Sequence, residues 1–296
     1  MVLLALDTST SYASIALARD GRLVAELSWD AGRSHSQELF GHLHWLLADR
    51  RIAIGDLEAI AVATGPGSFN GVRVAVTTAK SLSFALGVPL YASPTLDVVG
   101  WGACTSLVAE PVARRVSTGG VGPVDGQRET EAAARSGSVW AVLEAGRGQI
   151  YAAEYHGLVV VGEIWKPLDG YHLLSPLELA ERIAATGSEL PVLFCGEPAS
   201  STQAELARTL GQRARFAHLL PSRRASWLAE LALAQASRGE ASDIMSLEPQ
   251  YLRRPAITTS TKFALPSQTA GGNRAGDSEG TQEKRGSIAC ATSLNG

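Results

Sequence analysis

The stretch MVLLALDTSTSYASIALARDGRLVAELSW, from Met1 to Trp29, decides the fold of this 296-residue chain. VLLALD is a continuous apolar run ending at Asp7, as a buried strand should read. After the small hydroxyl turn TSTS the apolar pattern returns in YASIALA, and after RDG it resumes in RLVAELSW. Asp20-Gly21 is a strong two-residue hairpin signal. The chain therefore opens with three antiparallel strands.

Ser34 and Gln37 then make a capping-box pattern at a helix start. Leu39, Leu43, Leu46 and Leu47, with Phe40, recur at helical spacing to about Ala48. LEAIAVA (57–63) is the next strand. A glycine loop, a helix from about Gly71 to Leu86, the short strand VPLYAS and a helix starting at Pro94 follow. From Ser106 to Ser138 the chain is polar, Gly-rich and non-periodic, which predicts an exposed, disordered insertion.

The opening plan then returns. VWAVLEA (139–145), IYAAEYH (150–156) and LVVVGEIW (158–165) read as three strands. A helix from about Ser175 to Ala185, the strand PVLFCG, the helix STQAELARTL, a weak strand ARFAHL and the amphipathic helix RRASWLAELALAQASRG complete the second half. This is a structural repeat without obvious sequence identity. From Thr258 onward the composition predicts a disordered tail. The expected organisation is a lobe over 1–105, the insertion 106–138, a second lobe over 139–258 and the tail 259–296. Two such α/β halves facing one cleft is the plan of the actin-like ATPase and sugar-kinase (ASKHA) fold, with ribonuclease-H-like lobes of mixed sheet plus helices. Function does not follow from fold alone.

Composition narrows the classes. The chain is 45% hydrophobic, and 26 basic against 29 acidic residues leave a net charge of −3. That balance carries no nucleic-acid footprint across the whole protein. Cys104, Cys195 and Cys290 are far apart and form no CxxC pair, so neither a disulfide framework nor a zinc site follows. The N-terminal apolar run is too short for a signal segment, and no apolar run is long enough to span a bilayer. A cytoplasmic protein without membrane contact is expected. His42 and His44, two apart, fall on different sides of a helix, and HxxxH and HExxH are absent. No metal site and no cofactor are expected, and no Ser/His/Asp or Cys/His constellation can be argued from spacing.

Two segments carry candidate chemistry. Asp7, Thr8, Ser9 and Thr10 form the turn after the first strand. In this fold such a carboxylate would hold a metal–water shell, and the hydroxyls would meet phosphate oxygens. The plainer reading is a strand-ending Asp in an Asx-turn. The loop GPGSFNGVR supplies Gly65, Pro66, Gly67, Ser68, Phe69, Gly71 and Arg73, and it matches neither GxxxxGK[ST] nor a dinucleotide GxGxxG. Arg73 in the first helical turn opposes the helix dipole, so a specific partner is expected for it. The helix that follows has little polar face; one side should pack on its own sheet and a second is left for a partner. Leu39, Leu43 and Leu46 on the first helix, with Val72, Ala75, Ala79 and Leu82 on the second, are the expected interface.

With these pieces placed, the chain resembles the TsaB family of the bacterial tRNA threonylcarbamoyladenosine (t6A) machinery, related to the glycoprotease-like protein TsaD. The resemblance rests on LLALDTSTSYASIAL, SHSQELF, GPGSFNGVRVAVTTAKSLSFALGVPL, LEAGRGQIYAAEY and EPQYLRR. These fall within about residues 2–102 and 139–254, and the GPGSF.G.R block is the specific one. Asn70 stands where the family usually has Thr. The resemblance implies a scaffold without catalysis of its own. TsaD would transfer the threonylcarbamoyl group to adenosine 37 of tRNAs reading ANN codons, and the ATPase TsaE would be a third member. It also implies a homodimer when the chain is alone, tRNA contact only through the complex, and a glycine loop that positions an interface helix. The turn Asp7–Thr10 would then be vestigial. An ATP-dependent kinase or ATPase of the same fold and an M22-type glycoprotease-like peptidase remain the alternatives.

Overall fold

The computed structural model describes residues 1–32, 35–113, 138–156, 164–217 and 224–253. Strands β1 (Val2–Asp7), β2 (Tyr12–Arg19) and β3 (Arg22–Asp30) form the antiparallel meander read from the opening stretch. Asp20 and Gly21 both adopt positive φ, 51° and 75°, as the tight hairpin requires. Next come α1 (His35–Arg50), a 3₁₀ turn at Ile54–Asp56, β4 (Ala59–Ala63), α2 (Phe69–Leu86) and β5 (Leu90–Ser93). The Ser68 hydroxyl accepts from the Gly71 N–H to start α2, and Gly87 at φ 67° ends it. β4 runs parallel to β1 and β5 parallel to β4, giving the sheet order β3-β2-β1-β4-β5.

Helix α3 (Thr95–Ala113) continues beyond Ser106, where the insertion was expected to begin. The second sheet holds β6 (Ser138–Gly146), β7 (Gln149–His156), β8 (His172–Leu174), β9 (Val192–Glu197) and β10 (Ala214–Phe216). Helices α4 (Pro176–Ala185) and α5 (Ser200–Leu210), a 3₁₀ turn at Gly211–Arg213 and the final helix α6 (Arg224–Arg238) accompany it. Its order, β8-β7-β6-β9-β10, repeats that of the first sheet. Duplicated mixed sheets of this order are the ASKHA architecture of two ribonuclease-H-like lobes. Most of the expected strand 158–165 lies outside the described residues; among those described, His172–Leu174 pairs with β7. Ser34 of the expected capping box, residues 114–137 and the expected tail also lie outside the described residues. A complete capping box stands at the start of α4. There the Ser175 hydroxyl accepts from the Glu178 N–H, and the Glu178 carboxylate accepts from the Ser175 N–H.

The helices are exchanged between the sheets. On one face of the first sheet, Leu4, Leu6, Ile15, Leu17 and Ile60 pack against α1 and α2. The other face is almost all alanine (Ala5, Ala16, Ala18, Ala59, Ala61 and Ala63), and α6 covers it, although α6 comes last in the chain. Conversely, α3 follows β5 of the first sheet but packs Leu96, Val99 and Ala103 on the second. α4 and α5 cover that sheet's remaining face through Leu179, Ile183, Leu206 and Leu210. α3 and α6 touch each other between the sheets. At their crossing a Cβ on Gly102 would overlap the fused rings of Trp227.

Polar groups complete the joint. The Asp97 carboxylate of α3 accepts from the hydroxyls of Tyr155 (2.6 Å) and Tyr171 (2.9 Å). The Trp165 indole stacks on the Tyr155 ring at 5.0 Å and donates to the Asp97 carbonyl oxygen. Burial pushes the Asp97 carboxyl up to about 6, although both tyrosine bonds favour its charged form.

Two predictions follow from the joint. Gly102→Ala should cost roughly 1–3 kcal/mol in denaturant unfolding, because the indole must move aside. Gly55→Ala, whose Cβ would meet nothing within 4 Å, is the control and should change little. For Asp97 the sign is set by its raised pKa. Between about pH 4 and 6 the folded chain keeps a proton that the unfolded chain has released, so this group's contribution falls as pH rises through that window. Going from acid to neutral pH, Asp97→Asn should therefore lose less stability, or gain more, than the natural chain. Parallel shifts in the two chains would refute the assignment.

Candidate functional site

The glycine loop packs on the turn after β1. The Ser68 N–H donates to the Ser9 carbonyl oxygen at 2.6 Å, and the Thr8 hydroxyl donates to the Gly71 carbonyl oxygen at 2.6 Å. A Cβ on Gly67 would overlap the Ser9 carbonyl oxygen, and one on Gly71 the Thr8 carbonyl oxygen. These glycines are small because two stretches of backbone meet there. The Gly65–Pro66 peptide bond is cis. Beyond the loop, Thr95 N–H donates to the Gly65 carbonyl oxygen and Gln250 N–H to that of Thr64, so the loop also seats α3 and the chain after α6.

Within the turn, Asp7, Thr8 and Ser9 are fully buried. The Asp7 carboxylate accepts from the Ser9 N–H (2.8 Å) and the Ser9 hydroxyl (2.5 Å), an Asx-turn. Arg224, the first residue of α6, fills the space beyond. Its side chain is 2% exposed, with Nε 3.7 Å from Asp7 and Nη2 2.9 Å from the Glu197 carboxylate at the end of β9. The same nitrogen donates to the Thr10 hydroxyl and to the Tyr12 carbonyl oxygen. The residues of the turn are thus together: the hydroxyls of Thr8 and Ser9 and one Asp7 oxygen are used within the protein, while Asp7 Oδ2 accepts no hydrogen bond and faces the Arg224 guanidinium. Burial holds the Glu197 carboxyl above its ordinary range, with Asp7 adding to the rise; Arg224 and Thr10 pull the other way. Arg224 and Glu197 escaped the sequence reading because each meets the turn from about 190 or more residues away.

The expected interface residues are placed differently from the expectation. Leu39, Leu43, Leu46, Val72, Ala75 and Ala79 are buried against their own sheet, and Leu82 is half-buried at its margin. The apolar stripe that periodicity detects is the inward face, because a helix on a sheet buries its most regular apolar positions first. The outward face carries Phe40 (57% exposed) on α1 and Phe84 (76% exposed) on α2. Between the helices lies a groove of about 370 Å³ lined by Phe40, Arg73, Val74, Thr77, Ser81 and Leu82, among others. The sequence reading grouped Phe40 with the leucine stripe and did not single out Phe84; their exposure is a finding of the structure. Arg73 does have the partner its position calls for: its guanidinium lies over the Phe69 ring, 5.1 Å from the centroid.

Among the described residues no group of three or more His, Cys, Asp or Glu is placed to hold a metal ion, and no helix is long and apolar enough to cross a membrane. Cys104 and Cys195 are buried, and burial pushes the Cys104 thiol up to about 12.

Arg224→Ala should destabilise the chain by roughly 3–5 kcal/mol in denaturant unfolding, since it strands the Asp7 and Glu197 carboxylates without their cation. A variant that unfolds at the natural midpoint would mean that water already serves those groups.

Residues 29–120 match the family described as TsaD, tRNA N6-adenosine threonylcarbamoyltransferase. Over 254 residues the chain is 30% identical to the tRNA threonylcarbamoyladenosine biosynthesis protein TsaB of Bacillus subtilis, covering 86% of this chain and 94% of that one. It is 33% identical over 103 residues to the Escherichia coli protein of the same name, covering 35% and 44%. Among solved structures, YeaZ from Pseudomonas aeruginosa superposes with a TM-score of 0.63 at 28% identity, covering 85% of this chain and 99% of that one. With the duplicated fold and a match along nearly the whole Bacillus subtilis protein, the chain belongs to the TsaB family of tRNA threonylcarbamoyladenosine biosynthesis proteins.

Proposed function

We propose that this chain is a non-catalytic docking subunit that binds TsaD, the transferase of the t6A pathway, through the outward face of α1 and α2. The observation that carries this reading is the groove between those helices, lined by the exposed Phe40, with Phe84 exposed further along α2. Exposed aromatic side chains around an apolar groove mark a docking surface more often than free surface. The match of residues 29–120 to the TsaD family supports the same partner. A TsaD chain would present a related pair of helices, and two related faces pack about a pseudo-twofold axis. The same face would pair two copies of this chain when TsaD is absent, so homodimer and heterodimer compete. TsaE is the expected third member, and catalysis belongs to the partner. The Ser9 bonds to one Asp7 oxygen, with Arg224 facing the other, support a structural role for that turn rather than nucleotide binding.

Phe40→Asp and Phe84→Asp test the face. Each side chain is already exposed, so the melting temperature should hold, while affinity for TsaD falls by about thirtyfold or more. Co-elution with TsaD, the mass of the isolated chain by light scattering, and t6A formation in the reconstituted system are the readouts. Undiminished co-elution and t6A formation by both variants would place the interface elsewhere. Arginine at Ala75 or Ala79 is a poor test, because both residues are core and the fold itself would suffer.

A further inference from the structure

After α6 the chain returns across the first lobe to the second. Ser242 N–H donates to the Leu90 carbonyl oxygen, and Lys80 Nζ donates to the carbonyl oxygens of Met245 and Leu247. Gln250 N–H then bonds the strand-end carbonyl of Thr64 at 2.7 Å. This strap lays the Tyr251 ring on that of Phe69, centroids 5.2 Å apart. Two residues later the Arg253 guanidinium holds the β6–β7 turn through the carbonyl oxygen of Ala145 (3.1 Å) and the side chain of Gln149. That turn presents Arg147 at φ 58° between two glycines that also have positive φ. Arg147 is exposed and has no hydrogen bond or ion pair among the described residues.

The result is a continuous strip that crosses from one lobe to the other: Arg73, Phe69, Tyr251, Arg253, Arg147. Phe69 and Tyr251 are 40% and 37% exposed, so each offers part of its ring to an incoming group. Two guanidiniums, those of Arg73 and Arg147, are exposed at its ends. Glu248 lies beside Tyr251, and Glu144 is occupied in accepting from the Ala199 N–H and the Thr202 hydroxyl at the start of α5. In a chain with net charge −3 this strip is locally cationic.

We infer that this strip contacts an unpaired segment of RNA, with a base stacking on the Tyr251–Phe69 pair and phosphates meeting the arginines. The inference rests on the reading of this chain as a subunit of a tRNA-modifying complex. A pair of rings flanked by guanidiniums suits single-stranded RNA, because every base has a face to stack and every nucleotide a phosphate. A protein partner is the less favoured occupant: it would have to bury the Arg147 charge without a carboxylate supplied from this side. The strip adjoins the α1–α2 groove at Arg73, so RNA bound there would lie at the rim of the docked partner.

The test uses the full chain assembled with TsaD, binding of tRNA measured across a series of salt concentrations, and co-elution with TsaD measured separately. Tyr251→Ala should weaken tRNA binding by about tenfold, while Tyr251→Phe, which keeps the ring, should not. Arg147→Glu should weaken binding and reduce the salt slope by about one, while Arg147→Lys restores both. Co-elution with TsaD should be unchanged in all four. Arg147 sits on an exposed turn, so its variants remain informative if Tyr251→Ala proves unstable. Natural tRNA affinity and salt slope in both Tyr251→Ala and Arg147→Glu would overturn the inference, as would an assembled natural complex that does not bind tRNA. Loss of TsaD co-elution in Arg147→Glu would assign the strip to the protein partner instead. Failure of the natural chain to co-elute with TsaD would count against the docking reading itself.

Discussion

The close contact between the Gly102 backbone and the Trp227 indole is the constraint on which the two lobes depend. It lets α3 and α6 cross between the sheets, each packed on the sheet to which its own half of the chain does not contribute. The alanine face of the first sheet belongs to the same design. Methyl groups keep that surface low, so α6 comes close and Trp227 supplies the bulk that the sheet lacks. The Asp97–Tyr155–Tyr171 cluster and the Arg224–Glu197 pair then fix the two ends of the joint with directional bonds. Apolar packing sets which surfaces meet, and these buried polar groups set the register in which they do so.

The loop and the turn direct most of their polar groups toward each other. The hydroxyls of Thr8 and Ser9 and the Ser9 amide are satisfied by the loop and by Asp7, and a guanidinium from α6 stands against the turn. The glycines of the loop serve backbone-to-backbone contact. The loop's outward consequence is the placement of α2, and with α2 the exposed aromatic face.

Much of the architecture was legible because local periodicity is a local property. The opening meander, the hairpin at Asp20-Gly21, both interior helices of the first lobe and the repeat of the plan all follow from patterns within about twenty residues. The orientation of α1 and α2 was not. Leu39, Leu43, Ala75 and Ala79 have the spacing of an interface and equally that of a core, and only the sheet beneath them decides between the two. The exchange of α3 and α6 was also hidden. A lobe boundary drawn in the sequence assumes that neighbours in the chain are neighbours in space, and here each crossing helix belongs to the far sheet. The partners of Asp7 were illegible for the same reason: Glu197 and Arg224 carry no local sign of where they will dock.

The exchange also governs the order in which this chain can be finished during synthesis. All five described strands of the first sheet have been made once Ser93 leaves the ribosome, yet the helix that covers most of their alanine face among the described residues, Arg224–Arg238, emerges far later. At ordinary rates of elongation that interval is on the order of ten seconds. Through that time the nascent first lobe exposes a flat apolar sheet, while α3 lacks the strands on which it will rest. The amino-terminal half therefore completes its fold only after nearly all the described chain has been translated, and until then its uncovered sheet is a natural client surface for chaperones.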